Sequence, residues 1–82
     1  MKDLDLLKWR CRRGMKEVEV ILVRYLEQHY IQASAREQQA FVTLLELPDV
    51  EIYAYLVGQQ FPTETEQLAL VAKIRQLYWL ST

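Results

Sequence analysis

One cysteine, one histidine, two glycines and two prolines occur in 82 residues, and each scarcity excludes something. A lone thiol, Cys11, cannot make a disulfide within the chain, so stability must come from packing. With two glycines and two prolines there are few sharp turns, which disfavours a many-stranded β architecture and favours helices joined by short loops. One imidazole (His29) and one thiol cannot supply the four nitrogen and sulfur ligands of a zinc site. A single histidine does not assemble a nucleophile–base–acid set, and two isolated glycines make no phosphate loop. No apolar run approaches the ~20 residues that cross a bilayer. The opening stretch MKDLDLLKWR has no secretory h-region. The expectation is a reduced, soluble, cytoplasmic protein with no catalytic residues, no metal and no cofactor of its own. His29 reads as a solvated residue at a helix end. Cys11 reads as a small apolar core residue, with arginine neighbours that would lower its pKa and leave a reactive thiol as the lesser alternative.

What is present suits one small helical domain spanning residues 1–82. Apolar residues make up 51% of the chain, enough for one modest core and too many for disorder. The net charge of −1 hides an uneven distribution. Residues 1–24 carry a net +3 (Lys2, Lys8, Arg10, Arg12, Arg13, Lys16 and Arg24 against Asp3, Asp5, Glu17 and Glu19), and the remainder carries −4. Such a dipolar molecule orients its encounters with partners more than it raises its affinity for them.

Apolar spacing predicts an all-α bundle of about five helices. The first covers residues 4–13, with Leu4, Leu7 and Cys11 on one stripe, Asp3 or Asp5 as cap and Gly14 just past its end. The second covers residues 15–30. Its VEVILV core is strand-like, but sixteen residues without glycine or proline are too long for a typical strand. Val20 and Val23 fall opposite its main stripe, so one side is either central to the bundle or offered to a partner. SARE (residues 34–37) is a capping box that opens a third helix, with Phe41, Leu44 and Leu45 inward. Pro48 stops it. Asp49 is expected to cap a fourth helix that Gly58 closes. TETE (residues 63–66) reads as a second capping box, opening a last helix that runs to about Leu80.

The stretch WRCRRGMKE (residues 9–17) admits three readings. As a nucleic-acid grip, Lys8, Arg10, Arg12, Arg13 and Lys16 would contact phosphates. The domain as a whole is not basic, however, and no later helix has a polar face able to read base edges. As plain helix capping, Arg13 would end one helix and Glu17 open the next, each worth about 0.5–1 kcal/mol. That accounts for neither the number of cations nor the tryptophan among them. As a protein-docking surface, arginine and tryptophan are typical hot-spot residues, and a glycine without Cβ lets a partner come close.

The same stretch resembles the RGxxE signature of the SdhE family of succinate dehydrogenase assembly factors. A second block, FVTLLELPDVEIYAYL (residues 41–56), resembles the family pattern F-x-x-L-L-E-x-x-D-x-x-L-x-x-W-L, with Phe41, Leu44, Leu45, Glu46, Asp49 and Leu56 matching. Ile52 stands for leucine and Tyr55 for tryptophan. The resemblance covers nearly the whole chain. It implies a five-helix bundle that binds the flavoprotein subunit of succinate dehydrogenase, and in some members that of fumarate reductase, and promotes covalent attachment of FAD to it; a monomer when free is the expectation for the chain itself. Arg13, Gly14 and Glu17 fall on the family's functional motif, with Trp9, Arg12 and Met15 as neighbours in the same partner-binding surface. A nucleic-acid-binding or antitoxin-like regulatory role is the alternative.

Overall fold

The computed structural model describes the backbone of residues 2–79 and the side chains of residues 4–79. Among these residues there are five helices and no strand. Helix α1 spans Lys2–Arg10, α2 Lys16–Tyr25, α3 Ala35–Leu44, α4 Asp49–Val57 and α5 Thr65–Ile74. Helices α2 and α5 each run on into a wide final turn, Leu26–Tyr30 and Arg75–Trp79, where the hydrogen bonding loosens to the i→i+5 pattern. Leu80, expected to end the last helix, lies outside the described residues, as does the side chain of Asp3.

The apolar stripes meet in one core. Val18, Leu22 and Tyr25 of α2, Phe41 and Leu44 of α3, Ile52 and Leu56 of α4, and Leu70, Val71 and Ile74 of α5 are all buried in it. Each such side chain removed from water stabilises the fold by about 1.5–3 kcal/mol. Helix α3 packs along α5, while α4 touches both α2 and α5. The Tyr25 and Phe41 rings pack tilted, with centroids 4.7 Å apart. Leu7 and Cys11 bring the end of α1 onto the same core, which places the segment between α1 and α2 at its edge.

Two local signals act as expected. The Ser34 hydroxyl accepts from the Glu37 backbone N–H at 3.1 Å and caps α3. Gly58 takes the left-handed conformation (φ 83°) that closes α4.

Other ends differ from expectation. Helix α1 stops at Arg10, because Arg13 is drawn away from the helix axis by partners on the α3–α4 corner. At its other end α1 begins at Lys2, so Asp3 and Asp5 lie within it, not ahead of it. Pro48, not Asp49, is the residue before α4, and the Asp49 carboxylate is used elsewhere. The residue before α5 is Glu64, with no side-chain cap bond, so TETE does not work as a capping box. Gln67, in the first turn of α5, is buried and donates to the Ala40 carbonyl at 2.6 Å, which ties that turn to α3. Glu37 does not turn back to its own helix end either; its carboxylate accepts from the Tyr25 hydroxyl and from Lys73, at 2.8 Å for the latter.

Candidate functional site

The segment from Cys11 to Met15 is short, polar at its tip and held at both ends. Cys11 anchors it: the residue is fully buried, and its N–H donates to the Leu7 carbonyl at 3.0 Å. Burial pushes the thiol up from its ordinary 9.0 to about 11, against the opposing pull of Arg13. It is a neutral core group, and the reactive-thiol alternative fails on this desolvation.

Arg13 is not the free solvent-facing fork that the motif suggested. Its side chain is only 12% exposed. The guanidinium donates to the Leu47 carbonyl at 2.8 Å, to the Leu45 carbonyl, and to Asp49 Oδ1 at 3.3 Å. Those carbonyls follow the C-terminal end of α3, where backbone acceptors lack helical partners and the dipole is negative. Arg13 thus clamps the α3–α4 corner to the segment ahead of α2. Its own N–H donates to Glu19 Oε1 at 3.1 Å.

Gly14 sits at the exposed tip. Its N–H donates to Asp49 Oδ2 at 3.1 Å. Among the described residues the one glycine with positive φ is Gly58, so Gly14 does not end a helix in the left-handed conformation. A Cβ built at residue 14 would meet only that Asp49 oxygen, at an ordinary 3.6 Å. Neither backbone conformation nor internal space requires glycine here. Met15 follows in extended conformation, half-buried against the core edge, and serves as the residue before α2.

Two shallow depressions flank this tip, on either side of α2. One, of about 410 Å³, is lined by Asp5, Lys8, Trp9, Arg12, Glu19 and Val23. Trp9 is 68% exposed, and the Arg12 guanidinium lies over its ring, 5.7 Å from the centroid. The other, of about 670 Å³, meets exposed Glu17, Val20 and Arg24 on one wall and Tyr78 and Trp79 on the other. The structure therefore groups Trp9 with Arg12, sets Glu17 on the opposite flank, and turns Arg13 inward. Val20, the outward valine of α2, remains 39% exposed. Of the cations suggested for a phosphate grip, Arg13 is committed to the fold and Lys8 pairs with Glu27 at 3.4 Å.

His29 lies at a helix end as expected, in the wide turn that follows α2, but it is half-buried instead of solvated, stacked on Tyr25 with ring centroids 6.0 Å apart and edge-on to Tyr78. Asp49 and Glu19, which hold the segment, were not singled out from the sequence as site residues. Asp49 did carry a signal, since it occupies a fixed place in the second matching block. Glu19 carried none beyond being an acid in a first helical turn. The site as a whole offers an exposed backbone tip, an aromatic–cation pair and a carboxylate, which are recognition elements.

A family model described as the flavinator of succinate dehydrogenase matches residues 6–78. The chain is 41% identical over 77 residues to the FAD assembly factor SdhE of Methylococcus capsulatus, covering 94% of this chain and 93% of that one. It is 35% identical over 71 residues to the protein of the same name from Coxiella burnetii, covering 87% of each. With that of Xylella fastidiosa it shares 35% identity over 75 residues, 92% of this chain and 77% of the other.

Proposed function

The chain belongs to the succinate dehydrogenase flavinator family, and from that premise we propose that its working surface is the tip at Gly14 with its flanks Trp9, Arg12, Met15 and Glu17, docked on the flavoprotein subunit of that enzyme. The protein is an FAD assembly factor. Its part is to bind, not to catalyse: it favours one arrangement of the client in which the client's own histidine and the flavin are aligned for bond formation. A binder of this kind shifts a population only as far as it prefers one arrangement over another. Alignment of reacting groups is where most of the gain lies in such a step. Cys11, buried and neutral, is in no position to act as nucleophile or base.

The observation that carries this reading is Gly14. A glycine that the fold does not need, exposed at the centre of the motif, is explained by a partner's surface coming closer than a side chain would permit. Arg13 enters the reading as the residue that holds the tip up, and Glu17 and Trp9 as the groups that flank the contact. The protein is monomeric when free and acts in the cytoplasm on this reading, and the related fumarate reductase flavoprotein would meet the same face.

The test is Gly14→Arg against Gly14→Ala, followed by thermal melting, complex formation with the flavoprotein subunit and covalent flavin yield. Both variants should fold with midpoints within about 5 °C of the parent, since residue 14 is exposed. Gly14→Arg should lose the complex and the flavin. Normal binding by that variant would refute the docking reading.

A further inference from the structure

We propose that Asp49 is a positioning residue for flavin attachment: its carboxylate presets the Cys11–Met15 segment in the shape the client binds. The inference rests on the docking reading above.

One carboxylate takes two bonds from two successive residues of the tip. Oδ2 accepts from the Gly14 N–H at 3.1 Å, and Oδ1 from Arg13 Nη1 at 3.3 Å. Asp49 comes from the start of α4, 35 residues away from Gly14 in sequence, and its side chain is 25% exposed. It makes no cap bond to its own helix, because the residue before α4 is Pro48. Its acceptor capacity therefore points away from the helix that carries it. The positive end of α4 favours a negative charge at this position.

The geometry also shows what would follow without it. Glu19 holds the Arg13 N–H, but the Gly14 N–H is held by Asp49. Glycine has the widest backbone freedom of any residue. An exposed glycine tip freed of that bond would sample many shapes, and each docking event would have to select one. Fixing the tip beforehand removes that loss and tightens binding without adding a contact.

The experiment uses the full chain with Asp49→Ala and Asp49→Asn, and the purified flavoprotein subunit with FAD. Three quantities are read: amide hydrogen exchange at Gly14, exchange at the core residues Leu22 and Phe41, and flavinylation rate against assembly-factor concentration. For Asp49→Ala, Gly14 exchange should rise at least about tenfold and clearly more than exchange at the core amides, which report whatever stability is lost with the Arg13 pairing. The concentration giving half-maximal rate should rise by about tenfold, and the rate at saturation should stay within about twofold of the parent. Asp49→Asn keeps an oxygen for Gly14 and should shift less; it carries the test if the alanine variant does not fold. Unchanged half-saturation with Gly14 exchange raised would overturn the proposal. So would core exchange rising in parallel with Gly14, since the role would then be global stability. Gly14→Arg in the same assay separates the two ideas. If it binds normally, the docking reading itself fails; if it is blocked while Asp49→Ala behaves as the parent, only the positioning role fails.

Discussion

At the residue scale, the two charged residues of the motif do different work. Arg13 satisfies two carbonyls and one carboxylate at a helix corner. Arg13→Ala leaves all three without that donor, and a loss of about 2–4 kcal/mol is expected. In a domain of this size that is roughly a 10–25 °C fall in melting midpoint, read by calorimetry. Arg13→Lys should recover only part of it, because an ammonium lacks the planar fork that spans several acceptors. Glu17 is exposed, and Glu17→Ala should move stability by no more than about 0.5 kcal/mol while lowering flavin yield in the client. The sequence placed both residues in one motif. It did not show that one is turned inward, because the acceptors of Arg13 lie 32, 34 and 36 residues further along the chain.

At the element scale, helix ends separate into those set by neighbours in sequence and those set by packing. Ser34 and Gly58 belong to the first kind. Ser34→Ala should remove about 1 kcal/mol. The two glycines provide a matched contrast. Gly58→Ala places a Cβ at φ 83° and 3.2 Å from the Arg75 guanidinium, and should destabilise by about 1 kcal/mol or more. Gly14→Ala meets no such strain, and by narrowing the unfolded ensemble it should leave stability unchanged or raise it by up to about 1 kcal/mol. Paired denaturant titrations of the two variants read this difference directly. The starts of α4 and α5 belong to the second kind. Asp49 serves the tip instead of its own helix, and the buried Gln67 amide ties the first turn of α5 to α3. Good cap residues stood nearby in both places, and tertiary bonds took precedence over them.

At the scale of the whole molecule, a polar cluster ties three helices together. Tyr25 of α2 donates to Glu37 of α3, which also accepts from Lys73 of α5. Burial opposes the Glu37 charge, but the Lys73 ammonium and the Tyr25 hydroxyl outweigh it, so the carboxyl titrates below its ordinary 4.5. A depressed carboxyl contributes stability above its unfolded pKa and loses it as pH falls through the folded one. Melting midpoints should therefore drop on acidification below about pH 4.5, and Glu37→Gln should flatten that limb. At the alkaline side the sign reverses. Burial raises the Tyr25 phenol well above its ordinary 10.0 and the Cys11 thiol from 9.0 to about 11. Both are held neutral in the fold, so stability falls as pH climbs past about 9, and Cys11→Ala should remove the earlier part of that fall. The alanine variant starts from a lower midpoint, so the quantity to compare is the slope with pH.

The amino-acid sequence by itself determined that the chain is helical, which stripes face inward, and where α3 starts and α4 stops. Apolar periodicity and cap chemistry act over three or four residues, within reach of a linear reading. Only the tertiary structure decided which polar groups meet. Arg13 and Gly14 find Asp49, and Glu37 finds Lys73, across separations of 35 or 36 residues. Such pairings depend on how helices cross in space, and crossing is set by the packing of the whole core at once.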